Sequence, residues 1–292
     1  MMHTAGARFR AALAVENPLQ IVGAINALSA LMAEQAGFRA LYLSGAGVAN
    51  ASFGMPDLGM TSMTDVESDI RRITSVTSLP LLVDADTGWG HAFCVSRAVK
   101  NFLAAGAAGI HLEDQQNAKR CGHRPGKALV DPDDMCDRIK TAVDARTDDQ
   151  FVIMARTDAL ASEGLNATLD RCHQYIAAGA DMIFAEAVTK PEEYREFTSK
   201  LDVPVLANMT EFGQSPLLTT AQLKELGVQL VLYPLSAFRA MNAAAENVYR
   251  EIRERGTQQA VVGTMQSRNR LYEIIRYHDY EQKLNRILGK SI

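Results

Sequence analysis

Short, nearly all-apolar runs rich in β-branched residues recur along this chain, each followed by a polar or glycine-containing turn and then an amphipathic stretch of helical period. Between residues 20 and 256 the unit occurs eight times, with strands expected at 20–24, 40–44, 81–86, 109–113, 151–157, 182–187, 205–208 and 230–233. Strands apolar on both faces are expected where helices cover the outside and other strands the inside. Strict alternation implies parallel pairing with right-handed crossovers, and eight units over this length fit a closed (β/α)8 barrel better than an open sheet.

The helices have readable ends. Thr64-Asp65-Val66-Glu67 has the form of a capping box and predicts a helix from there to about Val76. Gly106, Gly179 and Gly227 each close a helical pattern just before the next strand. Residues 1–18 read as an extra helix under the barrel, and residues 257–292 as a helical extension beyond the eighth unit. Tyr272, Ile275, Tyr277 and Leu284 would form its apolar face, packed on its own barrel or on a second subunit. With no linker or low-complexity segment, residues 1–292 read as a single barrel domain.

Composition narrows the class. At 292 residues, 47% apolar and 22% charged, the chain has material for one large core, and its formal net charge of −4 argues against a nucleic-acid partner. No run has the length and apolarity of a membrane span, and the amino terminus does not resemble a secretory signal. Four cysteines without a CxxC pair suggest neither zinc nor a disulfide framework, so a reducing, cytoplasmic setting is expected. Cys94, Cys136 and Cys172 fall in helical patterns as small hydrophobes.

Cys121 is different. It sits in Lys119-Arg120-Cys121-Gly122-His123-Arg124-Pro125, where basic neighbours favour the thiolate and make the sulfur a usable acid or base. His123 is close enough to tune it, whereas His111 reads as a barrel histidine satisfied within the wall. The loop follows a strand, and that is the side on which barrels carry their chemistry.

Polar residues gather at the other strand ends. Asp84 and Asp86 are two apart, hence on one side of an extended strand, and their hard oxygens suit Mg2+ or Mn2+; helix caps in solvent are the plainer alternative. Ser44-Gly45-Ala46-Gly47 could cradle a carboxylate or simply turn the chain. Glu113, Arg156, Glu186, Asn208 and Thr210 close four further strands. Singly each could be an ion pair or cap; together on one face they favour an active site, in which Arg156 would grip a carboxylate in two-point contact. Arg239 and Arg268 are further candidates for substrate carboxylates.

These residues, with Gly54-Met55-Pro56-Asp57, Glu113-Asp114-Gln115 and Ala155-Arg156-Thr157-Asp158, resemble the isocitrate lyase and phosphoenolpyruvate mutase superfamily over nearly the whole chain, most closely the branch that cleaves 2-methylisocitrate. The cysteine loop is the motif specific to the lyases. The resemblance implies Mg2+-dependent, retro-aldol cleavage of 2-methylisocitrate to pyruvate and succinate in a methylcitrate cycle of propionate catabolism, by a homotetramer with swapped C-terminal helices. It further implies metal at Asp84 and Asp86, supported through water by Asp57 and Glu113. The tricarboxylate substrate would lie among Ser44, Gly45, Ala46, Cys121, Gly122, Arg156, Glu186, Asn208, Thr210, Arg239 and Arg268. Cys121 would return a proton to the departing succinate, and Tyr42, with Glu113 or a metal-bound water behind it, would take the hydroxyl proton.

Two positions depart from the family pattern. Ala46 stands where glycine is usual, adding a methyl beside the expected carboxylate cradle, and Gly126 replaces a common asparagine, which is expected to loosen the loop. Isocitrate lyase, oxaloacetate decarboxylase and a catalytically silent dicarboxylate-binding barrel are the competing readings, since one substrate methyl is worth only about 1–3 kcal/mol of selectivity.

Overall fold

The computed structural model describes residues 3–117, 119–120, 122 and 126–289. Its centre is a closed, all-parallel barrel in sequential order, made of β1 (Leu19–Gly23), β2 (Ala40–Leu43), β3 (Leu81–Asp84), β4 (Gly109–Glu113), β5 (Val152–Thr157), β6 (Met182–Ala185), β7 (Val205–Asn208) and β8 (Leu230–Tyr233), with β8 closing on β1. Four expected strands run one or two residues too long, and the first lies one residue earlier than expected. Asp86 and Ala187 take positive φ values, 46° and 54°, which turn the chain out of the ladder just after β3 and β6.

Helices α1 (Ala5–Val15), α2 (Ala27–Gln35), α3 (Gly45–Gly47), α4 (Met63–Thr74), α5 (Ala92–Ala104), α6 (Pro132–Ala145), α7 (Leu160–Ala177), α8 (Pro191–Lys200), α9 (Thr220–Glu225) and α10 (Ser236–Arg255) intervene, and α11 (Arg268–Ile274) and α12 (Tyr277–Ile287) follow. The capping box of α4 is not the one expected. Ser62 and Asp65 exchange the reciprocal bonds, starting the helix at Met63, while Glu67 pairs with Arg71 and Asn101 instead. Gly106, Gly179 and Gly227 do end their helices, at φ of 94°, 108° and 81°, a region that only glycine enters without strain.

Two apolar clusters hold the molecule. One lies between barrel and helices. The other fills the barrel, where Leu19, Ile21, Leu82, Val152, Met154, Met182, Leu206 and Leu230 meet Phe9 of α1 from below. Each fully buried Leu, Ile or Phe contributes about 1.5–3 kcal/mol. The floor is therefore sealed and apolar, and what chemistry the barrel offers must sit at the opposite rim. Among the described residues no helix is long and apolar enough to cross a membrane.

Candidate active site at the barrel rim

Period-two alternation carries the inward strand faces from an apolar floor to a polar rim: Leu82 to Asp84, Met154 to Arg156, Leu206 to Asn208, with His111 two residues below Glu113 as the polar exception on β4. Register then sets the neighbours, since Asp84 pairs with His111, and Glu113 with Arg156, across parallel ladders. Residues distant in sequence are thus brought to one rim without any loop having to find them.

Buried oxygens of Asp84, Asp86 and Glu113 lie within 4.8 Å of one another. Asp84 Oδ2 accepts the Gly45 N–H (3.0 Å) and Oδ1 the Asp86 N–H (3.1 Å). A Cβ on Gly45 would stand 3.1 Å from both aspartates, so glycine leaves this space to the carboxylates. Among the described residues Glu113 Oε1 has no hydrogen-bond partner, and Asp86 Oδ1 meets the Lys119 ammonium at 2.5 Å. Lys119 Nζ also meets Asp57 Oδ1 at 2.6 Å. An all-oxygen donor set with unsatisfied buried atoms fits a hard divalent cation.

The electrostatics divide the carboxylates. Burial pushes Asp84 upward, but His111, Lys119, Arg156 and the Gly45 N–H outweigh it and hold the group well below the usual range. Burial, then the charge of Asp84, raises Asp86, and burial raises Glu113 against the pull of Arg156 and Lys119. Burial works against the charge on Lys119, yet Asp86, Asp84, Glu113 and Asp57 outweigh it and hold the group firmly charged. Sequence reasoning saw Lys119 only as a neighbour of the cysteine; its position in a loop returning over acidic strand ends was the missed signal.

Tyr42 lies inside the wall, its Oη 2.9 Å from His111 Nε2 and 3.3 Å from Asp84 Oδ2. Burial, then the Asp84 charge, drives the phenol well above its ordinary pKa, which favours its protonated form. Burial also lowers His111 to about 4, leaving the ring neutral near pH 7.

Next to Glu113 of the acidic group, Arg156 is held by three carboxylates. Nε and Nη2 bond the two oxygens of Asp158 at 3.0 and 3.2 Å, Nη2 meets Glu186 Oε2 at 3.2 Å, and Nε lies 3.4 Å from Glu113. The guanidinium also lies 5.1 Å from the Phe184 ring centroid, and Asn208 donates to Glu186 at 3.4 Å. Asp158 reaches further. Lys127 Nζ bridges Asp158 Oδ1 (2.8 Å) and the Gly122 carbonyl (2.6 Å), while Gln115 Nε2 bridges Asp158 Oδ2 (3.2 Å) and the Arg120 carbonyl (2.9 Å). Neither Lys127 nor Asp158 was assigned a role from sequence.

Beside these charged groups opens a cavity of about 180 Å3, walled by Tyr42, Ser44, Ala46, Asp57, Asp84, Lys119, Gly122, Arg156, Glu186, Asn208, Thr210 and Arg239, with Phe184, Leu232 and Pro234 as an apolar side. Gly45, Asp86 and Glu113 stand behind the wall. A Cβ at Gly122 would overlap Arg156 and Glu186. Arg239 is half-exposed at the mouth, 3.7 Å from Glu211. Arg268 does not belong to this cavity: it opens α11, exposed, beyond the eighth unit. Cys121 and His123 lie outside the described residues. At Gly126 φ is 79°, where glycine sits unstrained and a Cβ would press on Arg120.

Comparison with known proteins agrees with this architecture. Residues 9–253 match the family model described as phosphoenolpyruvate phosphomutase. The chain is 59% identical over 291 residues to the 2-methylisocitrate lyase of Escherichia coli (strain K12), covering 99% of this chain and 98% of that protein, and 61% identical over 285 residues to that of Salmonella typhimurium, covering 97% of each. Among solved structures, 2,3-dimethylmalate lyase superposes with a TM-score of 0.91 at 33% identity over 99% of this chain and 97% of that one. A phosphonopyruvate hydrolase complex with oxalate and Mg2+ gives 0.84 at 31% identity, over 97% and 98%.

Proposed function

The chain belongs to the phosphoenolpyruvate phosphomutase family, on the branch of the 2-methylisocitrate lyases, and from that membership we propose that it splits 2-methylisocitrate into pyruvate and succinate with the aid of Mg2+, as a step of a methylcitrate cycle in propionate catabolism. The observation that carries the reading is one small cavity with a cluster of three carboxylates, Asp84, Asp86 and Glu113, at its edge, an arginine held by Asp158, Glu113 and Glu186 in its wall, and an apolar side.

Asp84 and Asp86 would hold the ion, with Asp57 and Glu113 supporting it through water. When bound, Mg2+ supplies positive charge for the substrate oxygens that become more negative during cleavage. The rest falls to the chain's own residues. Arg156, oriented by Asp158, would hold a substrate carboxylate and stabilise the succinate aci-carboxylate as its charge develops. Ser44, Gly45, Ala46, Gly122, Asn208, Thr210 and Arg239 would bind the remaining oxygens, with Glu186 placing Arg156. Phe184, Leu232 and Pro234 offer a surface for the substrate methyl. The substrate hydroxyl would give up its proton to Glu113, directly or through a water, the C2–C3 bond would break to leave pyruvate, and the electron pair would pass to the succinate carbon. Cys121, tuned by His123, would then protonate that carbon.

We take residues 257–292 as an extension of the single barrel domain and the assembly as a homotetramer with exchanged C-terminal helices. Support comes from apolar surface: α10 buries none of its residues, and Tyr249, Tyr280, Leu284 and Ile287 are each more than half exposed. A groove of about 630 Å3 runs between α2 and the α11–α12 pair. Arg268 meets a substrate only if a second copy brings it there.

The purified protein with Mg2+ is to be incubated separately with 2-methylisocitrate, isocitrate and oxaloacetate. Pyruvate and succinate from the first are expected; turnover of either competitor without the first would replace this assignment, and turnover of none would favour a silent binding barrel.

A further inference from the structure

His111 is fully buried in β4 between the Tyr42 ring, stacked at 5.7 Å, and the Phe184 ring, edge-on at 5.3 Å, and the proposed cleavage gives it nothing to do. Its hydrogen bonding is nevertheless constrained. Nε2 meets the Tyr42 hydroxyl, and Nδ1 has no partner among the described residues. Of the two neutral tautomers, the one protonated on Nδ1 would bury an N–H with nothing to receive it and would draw the phenol proton towards the imidazole, away from Asp84. With the proton on Nε2, the ring donates to Tyr42 Oη, the phenol donates to Asp84 Oδ2, and only a lone pair is left bare. Orphaned buried donors are the rarer and costlier defect, and a hydrogen bond to a carboxylate is the stronger one.

We infer that His111 and Tyr42 form a one-way donor chain, Nε2–H to Oη–H to Asp84, which makes both of them positioning residues for the cation site. Asp84 hangs from three donors: Oδ2 accepts from the phenol and the Gly45 amide, and Oδ1 from the Asp86 amide, which fixes the carboxylate plane and leaves Oδ1 a lone pair for an ion. The chain reaches that site from beneath, through the barrel wall. The inference rests on the acidic group holding a dication and is independent of which acid is cleaved.

Mn2+ serves as the probe, with its dissociation constant measured on substrate-free protein and unfolding midpoints recorded without metal. Tyr42→Phe removes one oxygen and keeps the packing; His111→Leu removes the first donor; His111→Gln puts an amide N–H near the place of Nε2. Loss of a group that orients a metal ligand costs about 10- to 100-fold in affinity. Tyr42→Phe and His111→Leu are each expected to weaken Mn2+ binding to that extent, the double variant no further than either single one, and His111→Gln to recover most of the loss. Cleavage abolished in Tyr42→Phe with Mn2+ affinity unchanged would overturn the inference and return the phenol to base chemistry. Additive losses, or a His111→Gln protein as weak as His111→Leu, would overturn it too; should His111→Leu not fold, Tyr42→Phe and His111→Gln decide. Wild-type protein that binds no Mn2+ would sink the cation site itself, a distinct result.

Discussion

Lys119 Nζ stands 2.5 Å from Asp86 Oδ1 inside the acidic group, so a buried ammonium that begins the cysteine loop shares a carboxylate oxygen with the cation site. Asp57 on another loop completes the bridge. The loop and the metal site are therefore joined by one side chain.

Lys119→Met should expose the consequence. Removing one partner of a buried charge group costs about 3–5 kcal/mol, and here it leaves carboxylates facing each other. Urea unfolding in EDTA is expected to show that loss, and saturating Mg2+ should restore more stability to the variant than it adds to the wild type. Equal gains in both proteins would mean that the ammonium does not balance the charge of the metal ligands.

Asp158 allows a test by pH. Burial opposes its charge, but Arg156 and Lys127 prevail and hold the carboxyl below its usual range. A depressed folded-state value makes its contribution fully present above the unfolded value of about 4, and lost as pH falls through the folded one. Asp158→Asn should thus be less stable by about 3 kcal/mol at neutral pH, with the gap to wild type narrowing only below about pH 4. Denaturation midpoints from pH 7 to pH 2 measure it; a gap that does not change with pH would contradict the ion-pair account.

Cys121→Ser is expected to lower net cleavage by at least about 100-fold, the usual worth of a positioned proton donor, while Mn2+ affinity stays within about twofold of wild type. Near-full turnover would assign the proton to another group.

A charge on the uncovered C-terminal surface should disturb assembly. Leu284→Glu with Ile287→Glu is expected to shift light-scattering mass towards smaller species with the barrel still folded by circular dichroism. An unchanged mass would place the subunit contact elsewhere.

The barrel was legible because its signal is periodic: alternating apolar runs fixed β4, β7 and β8 to the residue, and the glycines after α5, α7 and α9 marked the helix ends. Asp84, Glu113, Arg156, Glu186 and Asn208 were legible for the same reason, as polar residues where an apolar strand stops. Lys119, Lys127 and Gln115 were not, because loop side chains act through geometry that no period encodes. The capping box at Ser62 was missed because two overlapping tetrads compete and only packing selects between them. Tyr42 was read by chemistry without burial, and burial favours its protonated form.

The seal that Phe9 makes beneath the barrel, with Leu19, Ile21 and Met154 above it, separates folding from catalysis along the axis of one cylinder. A rim exchange of a methyl for a hydroxyl, or of a phosphonate contact for a carboxylate contact, leaves that lower plug untouched. Divergence in this fold can therefore proceed at the mouth alone, which is how a 2,3-dimethylmalate lyase only 33% identical can keep so nearly the same backbone.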